Sequence, residues 1–265
     1  MISNKFILVT GGSSGIGKHL AGELLKNGNQ LAIAANDELS LEQATKELSV
    51  ISSSIYSYSV DVGDTSSVQV MRDKVIRNQG CPDILVNCAG FTSYRTFEDS
   101  PIEEIERIVS VNFLGALRCT HSFLPHFIAR RTGIIVNIAS IAGKLVMTPN
   151  GIYSASKHGL VAWSEALGYE LSRFNIDVLT ICPGRVETAF FDHETFKTRA
   201  PRAETQLTIP IERVSGRIIS AIEKRKKLSY IPFYYAFIIW AINTFPFVKP
   251  LYGRLLSNRV EDLYR

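Results

Sequence analysis

Hydrophobic positions along the chain fall into short runs separated by longer amphipathic stretches. Phe6–Thr10, Gln30–Ala35, Ile55–Val60, Ile84–Asn87, Gly133–Ile138 and Ile176–Ile181 are apolar runs bounded by Gly, Pro or Asp. Most show little strict alternation, the pattern of parallel strands covered on both faces. Helical stretches lie between them. Gly17–Asn27 ends at Gly28, a residue suited to the left-handed turn that closes a helix. Ser100-Pro101-Ile102-Glu103 reads as a capping box with proline at the first helical position, opening a helix toward Leu117. Tyr153–Phe174 carries a long helical pattern ahead of the sixth run. A seventh strand is expected at Leu228–Ile231, ended by Pro232. This alternation predicts a doubly wound α/β fold, a mostly parallel seven-stranded sheet with helices on both faces.

Composition narrows the picture. At 265 residues the chain fills the span of a single α/β domain, and no repeat, low-complexity segment or linker divides residues 1–265. Hydrophobic residues make up 46% and charged ones 20%, which excludes a disordered tail and a collagen-like fibre. Cys81, Cys88, Cys119 and Cys182 form no C-x-x-C pair and have no histidine at ligand spacing. Neither a metal site nor a disulfide framework is expected, and a reducing, cytoplasmic setting is. The opening MISNKFILVTGG is interrupted by glycines before it reaches the length of a signal peptide. Net charge is +4 but uneven: residues 1–196 hold 16 Lys/Arg against 20 Asp/Glu, and residues 197–265 hold 13 against 5. A localised basic quarter calls for a local explanation and not for nucleic acid.

Candidate chemistry begins at Thr10-Gly11-Gly12-Ser13-Ser14-Gly15-Ile16-Gly17, which follows the first strand and opens the first helix. Glycines there permit a tight turn and close backbone approach to a pyrophosphate, which the helix N-terminus attracts. By itself a G-x-x-x-G-x-G turn is weak evidence. Further motifs follow in order. Asp61-Val62 comes after the third strand, and Asn87-Cys88-Ala89-Gly90 after the fourth. Asn112 sits in Val111-Asn112-Phe113-Leu114-Gly115, Ser140 follows the fifth strand, and Tyr153-Ser154-Ala155-Ser156-Lys157 lies on a helix. Pro183-Gly184-Arg185-Val186-Glu187-Thr188 follows the sixth strand. Singly, each has an ordinary reading: a half-buried ring beside a solvated amine, a loop serine, a satisfied helix asparagine. Together, from residue 5 to about 190, the chain resembles the short-chain dehydrogenases/reductases.

That resemblance implies a Rossmann-type domain and a dinucleotide cofactor. Gly11, Ser13, Ser14, Gly15, Ile16 and Gly17 would hold the pyrophosphate, with Asn36 at the ribose and Asp61 and Val62 at the adenine. Asn87, Ala89, Gly90, Pro183, Gly184, Val186 and Thr188 would complete the cofactor contacts, with Tyr153 and Lys157. It also implies hydride transfer between a ketone and a secondary alcohol. Tyr153 would give the proton, Ser140 hold the oxygen, Lys157 bind the nicotinamide ribose, and Asn112 complete a water-linked relay. Tyr153 and Lys157 are four apart and share a helix face. A phenol is a poor base at neutral pH, and a neighbouring cation favours its ionised form. The second strand ends at Ala35, where a carboxylate would select NAD, so NADP(H) is expected over NAD(H). No arginine follows, Asn36 and Asp37 come next, and Lys18 is a nearby cation. A nucleotide-sensing or scaffold protein on the same fold is the competing class, against which the intact Ser–Tyr–Lys–Asn set argues.

Other candidates are poorer. His121 and His126 straddle Pro125, Ser154 and Ser156 lack a G-x-S-x-G elbow, and Cys88 and Cys182 read as small core residues. In the resemblance, residues 190–227 contain the substrate lid, opening with Ala189-Phe190-Phe191-Asp192-His193. Its aromatics fit a bulky apolar carbonyl compound, long-chain, sphingoid-type or steroid. The T-G-G-S-S-G-I-G-K run and the apolar tail are similar to ketosphinganine reductases. Relatives pair through helices that here begin near Ser100 and Tyr153, implying a homodimer or homotetramer.

Residues 228–265 form an aromatic, basic extension: Tyr230–Tyr252 holds nine of the chain's 26 aromatics and one charge, Lys249. Leu228–Val248 is 21 residues without a charge, near the ~20 that span a bilayer. The seventh strand, Pro232 and Pro246 leave roughly 13 helical residues, about 20 Å, short of the ~30 Å hydrocarbon core. Peripheral membrane contact is therefore expected, with Phe237, Ile238, Trp240 and Ala241 toward lipid and Lys224-Arg225-Lys226-Lys227 toward anionic headgroups. An aromatic cover over the substrate pocket or a dimer interface is the open alternative.

Overall fold

All five residues of Phe6–Thr10 are buried, and they feed two different cores: Ile7 and Val9 one, Phe6 and Leu8 the other. A strand covered on both faces has no polar side to show, which is why its sequence does not alternate. The structure, a computed structural model, describes residues 1–188, 190, 195–196 and 208–261. Its strands are β1 (Phe6–Thr10), β2 (Gln30–Ala35), β3 (Ile55–Ser59), β4 (Ile84–Asn87), β5 (Gly133–Ile138), β6 (Ile176–Pro183) and β7 (Leu228–Ile231). They form one sheet in the order β3-β2-β1-β4-β5-β6-β7. Every pairing is parallel, with Leu8 opposite both Ala32 and Leu85. The order reverses at β1, so a cleft opens beyond the carboxyl ends of β1 and β4.

The helices are α1 (Gly15–Lys26), α2 (Glu38–Ser49), α3 (Thr65–Gln79), α4 (Ile102–Val109), α5 (Gly115–Arg130), α6 (Gly151–Leu171), α7 (Ile211–Glu223), α8 (Tyr234–Thr244) and α9 (Val248–Glu261). Leu20 and Leu24 of α1, Leu41 of α2 and Ile218 of α7 cover Val9, Ile33 and Ile181 on one face. Met71 of α3, Phe123 and Phe127 of α5 and Leu167 of α6 cover Leu8, Leu85 and Ile135 on the other. Asp37 and Asp64 cap α2 and α3, accepting from the backbone N–H of Ser40 (2.7 Å) and Ser67 (2.8 Å). Gly28, at φ 76°, closes α1 as its position predicts.

Some expectations are corrected. The capping box does not form: the Ser100 hydroxyl donates to the Thr96 carbonyl (2.7 Å), and Pro101 itself is the cap residue, with no side-chain bond. A hydroxyl turned back into the preceding turn is unavailable to the helix it precedes. The helix also does not stop near Leu117. A π-helical turn, Ser110–Leu114, carries α4 into α5, which runs to Arg130.

Among the described residues, no helix is long and apolar enough to cross a membrane. Phe237, Ile238 and Trp240 are exposed, whereas Ala241 is half-buried. The Lys224–Lys227 run is not beside them. It precedes β7 and the aromatics follow it, so a strand length of about 13 Å separates the two. Arg225 is moreover paired with Asp177, and the Lys227 ammonium lies 5.9 Å from the ring centre of Tyr169. Of the expected lid segment, Ala189, Phe191, Asp192 and His193 lie outside the described residues.

Candidate active site

The glycine turn is built by close contact. Gly11 adopts φ 67°, donates its N–H to the Ala34 carbonyl (2.7 Å), and sits where a Cβ would lie 2.7 Å from the Ala89 Cα. Only glycine lets the turn after β1 press against the loop after β4 this closely. Thr10, which the family resemblance does not place in the site, ties the same two segments. Its hydroxyl donates to the Val86 carbonyl (3.4 Å) and accepts from the N–H groups of Cys88 (3.2 Å) and Ala89 (3.4 Å). Gly15 then starts α1 at φ 49°, and the Ser14 side chain makes no capping bond. The first-turn amides of α1 are left for an anion at the cleft, which is the fit a pyrophosphate requires.

The cleft measures about 980 Å³. Every residue expected to contact a cofactor lines it except Asn87. That residue is buried, and its amide donates to Thr120 Oγ1 (3.0 Å) and Asn137 Oδ1 (2.8 Å), so it braces β4 against β5 and α5 from behind. At the opposite end Asp61 is gripped by Arg107, with both oxygens 2.9 Å from guanidinium nitrogens, and accepts from the Gly63 N–H (2.8 Å). Burial works to raise the Asp61 pKa, but Arg107 and Gly63 outweigh it and hold the carboxyl below its ordinary value. Arg107 lies 46 residues from Asp61, and no local motif announces the pair.

The end of β2 is bare of charge toward the cleft. Ala35 and Asn36 line it, while the Asp37 carboxylate is spent on capping α2. Lys18 is held by Glu47 at 2.6 Å.

The candidate catalytic groups converge beyond β5. Lys157 is buried; its Nζ donates to the Ile138 carbonyl (2.9 Å) and lies 5.8 Å from the ring centre of Tyr153. Burial pushes Lys157 down to about 8. Burial pushes Tyr153 the other way, up to about 12, with a hydrogen bond to Ser140 opposing it. The Ser140 hydroxyl accepts from the Ala142 N–H (3.1 Å) and reaches the Pro183 carbonyl (3.5 Å), which fixes it between the ends of β5 and β6. Asn112, on the π-helical turn, stands behind the cleft wall and not on it. Its amide clamps Phe91, donating to the carbonyl (2.8 Å) and accepting from the N–H (2.9 Å).

Aromatic side chains line the mouth. Phe190 meets the Tyr153 ring edge-on at 5.9 Å, and Phe196 meets Tyr94 at 5.1 Å. Tyr234 and Tyr235 of α8 also line the cleft, Tyr235 lying against Gly184. These two tyrosines turn part of the aromatic segment toward the cleft. The arrangement can seat a dinucleotide along β1 and α1 and deliver a proton from Tyr153 to an oxygen held by Ser140.

Known proteins fit this geometry. The short chain dehydrogenase family model matches residues 5–198. A ketoacyl reductase, HetN of Nostoc sp., is 30% identical over 224 residues, covering 84% of this chain and 77% of its own. The 3-ketodihydrosphingosine reductase of Bos taurus is 34% identical over 222 residues, 80% of this chain and 67% of its own. The solved structure of a short-chain dehydrogenase from Sphingobium yanoikuyae in complex with NADPH superposes with a TM-score of 0.80 at 24% identity, covering 90% of this chain and 92% of that one. The chain belongs to the short-chain dehydrogenase family, an oxidoreductase acting on CH–OH and C=O groups.

Proposed function

We propose that this protein is an NADP(H)-dependent reductase that interconverts a bulky, apolar ketone and its secondary alcohol. The observation that carries the reading is the placing of Tyr153, Ser140 and Lys157 together in one cleft that Phe190, Phe196, Tyr234 and Tyr235 also line. A nicotinamide dinucleotide bound along the Gly11–Gly17 turn supplies or accepts the hydride. Ser140 holds the substrate oxygen, and Tyr153 gives its proton to the alkoxide as charge develops, a contribution of about 10²–10⁴-fold. Burial pushes the Tyr153 pKa up to about 12, so the phenol carries the proton it gives at neutral pH, and the Ser140 hydrogen bond works against that rise. Lys157 positions the ribose and brings positive charge to the tyrosine, and Asn112 orders the loop at Phe91 that backs a water-linked relay.

NADP(H) is favoured because the end of β2 presents Ala35 and Asn36 and keeps the Asp37 carboxylate turned into its own helix. The names of the Nostoc and bovine relatives, both reductases of keto groups, support the ketone direction. The same reading makes the enzyme a cytoplasmic homodimer or homotetramer with peripheral membrane contact through its C-terminal segment. Cofactor fluorescence titration should give tighter binding of NADPH than NADH, and kcat/KM should rise along a series of ketones of increasing chain length. Tighter NADH binding would mean that Asp37 leaves its cap to govern the pocket. A flat or falling series would remove the apolar substrate.

A further inference from the structure

Phe233, Phe237 and Trp240 recur at helical spacing along α8 and its cap, 78%, 66% and 51% exposed. Phe237, Trp240, Phe245 and Phe247 form a chain of ring contacts with centres 5.5, 5.5 and 5.7 Å apart. Leu251 and Leu255, one turn apart on α9, add a second stripe at 60% and 62% exposure. A contiguous apolar face of this kind marks a surface that is covered in use. The charge of this stretch is one-sided: Lys249 and Arg254 are exposed on it, and no Asp or Glu occurs from Leu228 to Val260.

The inner edge of α8 belongs to the cleft. Tyr234 and Tyr235 line it, and Ile239 is buried. α9 is tied to the loop ahead of α6, the Tyr252 hydroxyl donating to the Val146 carbonyl (2.6 Å) and the Thr148 hydroxyl to the Leu256 carbonyl (3.2 Å). That loop places Met147 and Thr148 in the cleft wall. The exposed aromatic face and the cleft mouth are therefore two sides of α8, and α9 is braced against the loop that continues the cleft wall.

We infer that this face seats on an anionic lipid surface and opens the cleft mouth onto it, so that the substrate is a carbonyl-bearing lipid drawn from the leaflet. The identity of the reacting group rests on the reductase reading; the docking does not. At 11 residues α8 is about 16 Å long, too short to span, and it lies along the interface with its rings at headgroup depth. Lys249 and Arg254 meet the anionic headgroups, and the absence of acids avoids repulsion there.

The test uses the full chain and mixed phosphatidylglycerol–phosphatidylcholine vesicles. Wild type should sediment with them, and the double variant Phe237→Glu, Trp240→Glu should lose about tenfold or more of that partition while melting at the wild-type temperature. A diazirine-bearing long-chain ketone held in the vesicles should, on photolysis, label the Tyr234–Tyr235 and Met147 peptides of wild type and not of the variant. Wild type left in the supernatant, a variant that sediments equally well, or absence of labelling overturns the inference. So does a variant that changes only the oligomeric state, which would assign the face to a second copy of the chain. Labelling without any ketone reduction would retire the reductase reading and leave this one standing.

Discussion

Burial acts on Tyr153 and Lys157 in opposite senses. The tyrosine holds its proton at neutral pH, while the lysine, with its pKa pulled down to about 8, loses its charge early. A base with a lowered pKa is cationic below that value and neutral above it. Ketone reduction should therefore hold level through neutrality and fall as pH rises through about 8, and Lys157→Met should be slow throughout and lack that limb. A kcat/KM profile from pH 6 to 10 measures both; an unchanged limb in the variant would place the titration elsewhere. Arg107 holds Asp61 at the end of the cleft where the proposed cofactor would place its adenine. The pair is partly exposed, so Arg107→Leu should weaken NADPH binding only about two- to fivefold, from an ion pair of roughly 0.5–1 kcal/mol, and leave kcat unchanged. Residues whose chemistry sits in one contiguous motif, such as Tyr153 and Lys157, are legible in the sequence. Arg107, and the mouth residues Tyr94 and Tyr235, are not, because only the tertiary fold brings them to the cleft. Asn87 marks the converse: its motif is intact, yet its amide faces Asn137 and Thr120 behind the cleft.

Strands and helices differ in how clearly they announce themselves. β1, β4 and β5 are read directly because parallel strands buried on both faces are unbroken apolar runs. The start of α4 is misread because a capping box depends on where the Ser100 hydroxyl points, and here it bonds Thr96. The polar brace between β4, β5, α5 and α6 has no sequence signal at all. Asn137 joins it twice, accepting from Asn87 and donating to Ser164 at 2.8 Å each. Asn137→Ala would leave both partners buried without it, costing about 1–3 kcal/mol, which urea unfolding would read as a lowered midpoint. Phe123 on α5 is a purely packing residue, fully buried beneath the sheet, and Phe123→Ala should cost about 3–5 kcal/mol by the same method. Loss of less than 1 kcal/mol at Phe123 would show that the α5 layer is not tightly packed.

At the scale of the whole molecule, the doubly wound sheet brings the turn after β1, the serine after β5 and the Tyr–Lys helix to one edge, although they are spread from Gly11 to Lys157. The C-terminal extension then meets that edge with Tyr234 and Tyr235 of α8 and leaves Phe237 and Trp240 of the same helix exposed. Ile102 on α4 and Tyr169 on α6 remain exposed on the helices through which a homodimer would form, and sedimentation at micromolar concentration should show at least a dimer. A monomer under those conditions would remove that assembly without touching the chemistry. The central claim is proton delivery by Tyr153 in ketone reduction, and it is tested most directly by following NADPH consumption with a long-chain ketone for wild type and Tyr153→Phe, after fluorescence has shown that both bind NADPH. Wild type should turn over and the variant should be slower by about 10²–10⁴-fold. Equal rates, or a wild type that binds NADPH and reduces no ketone in the series, would contradict the account.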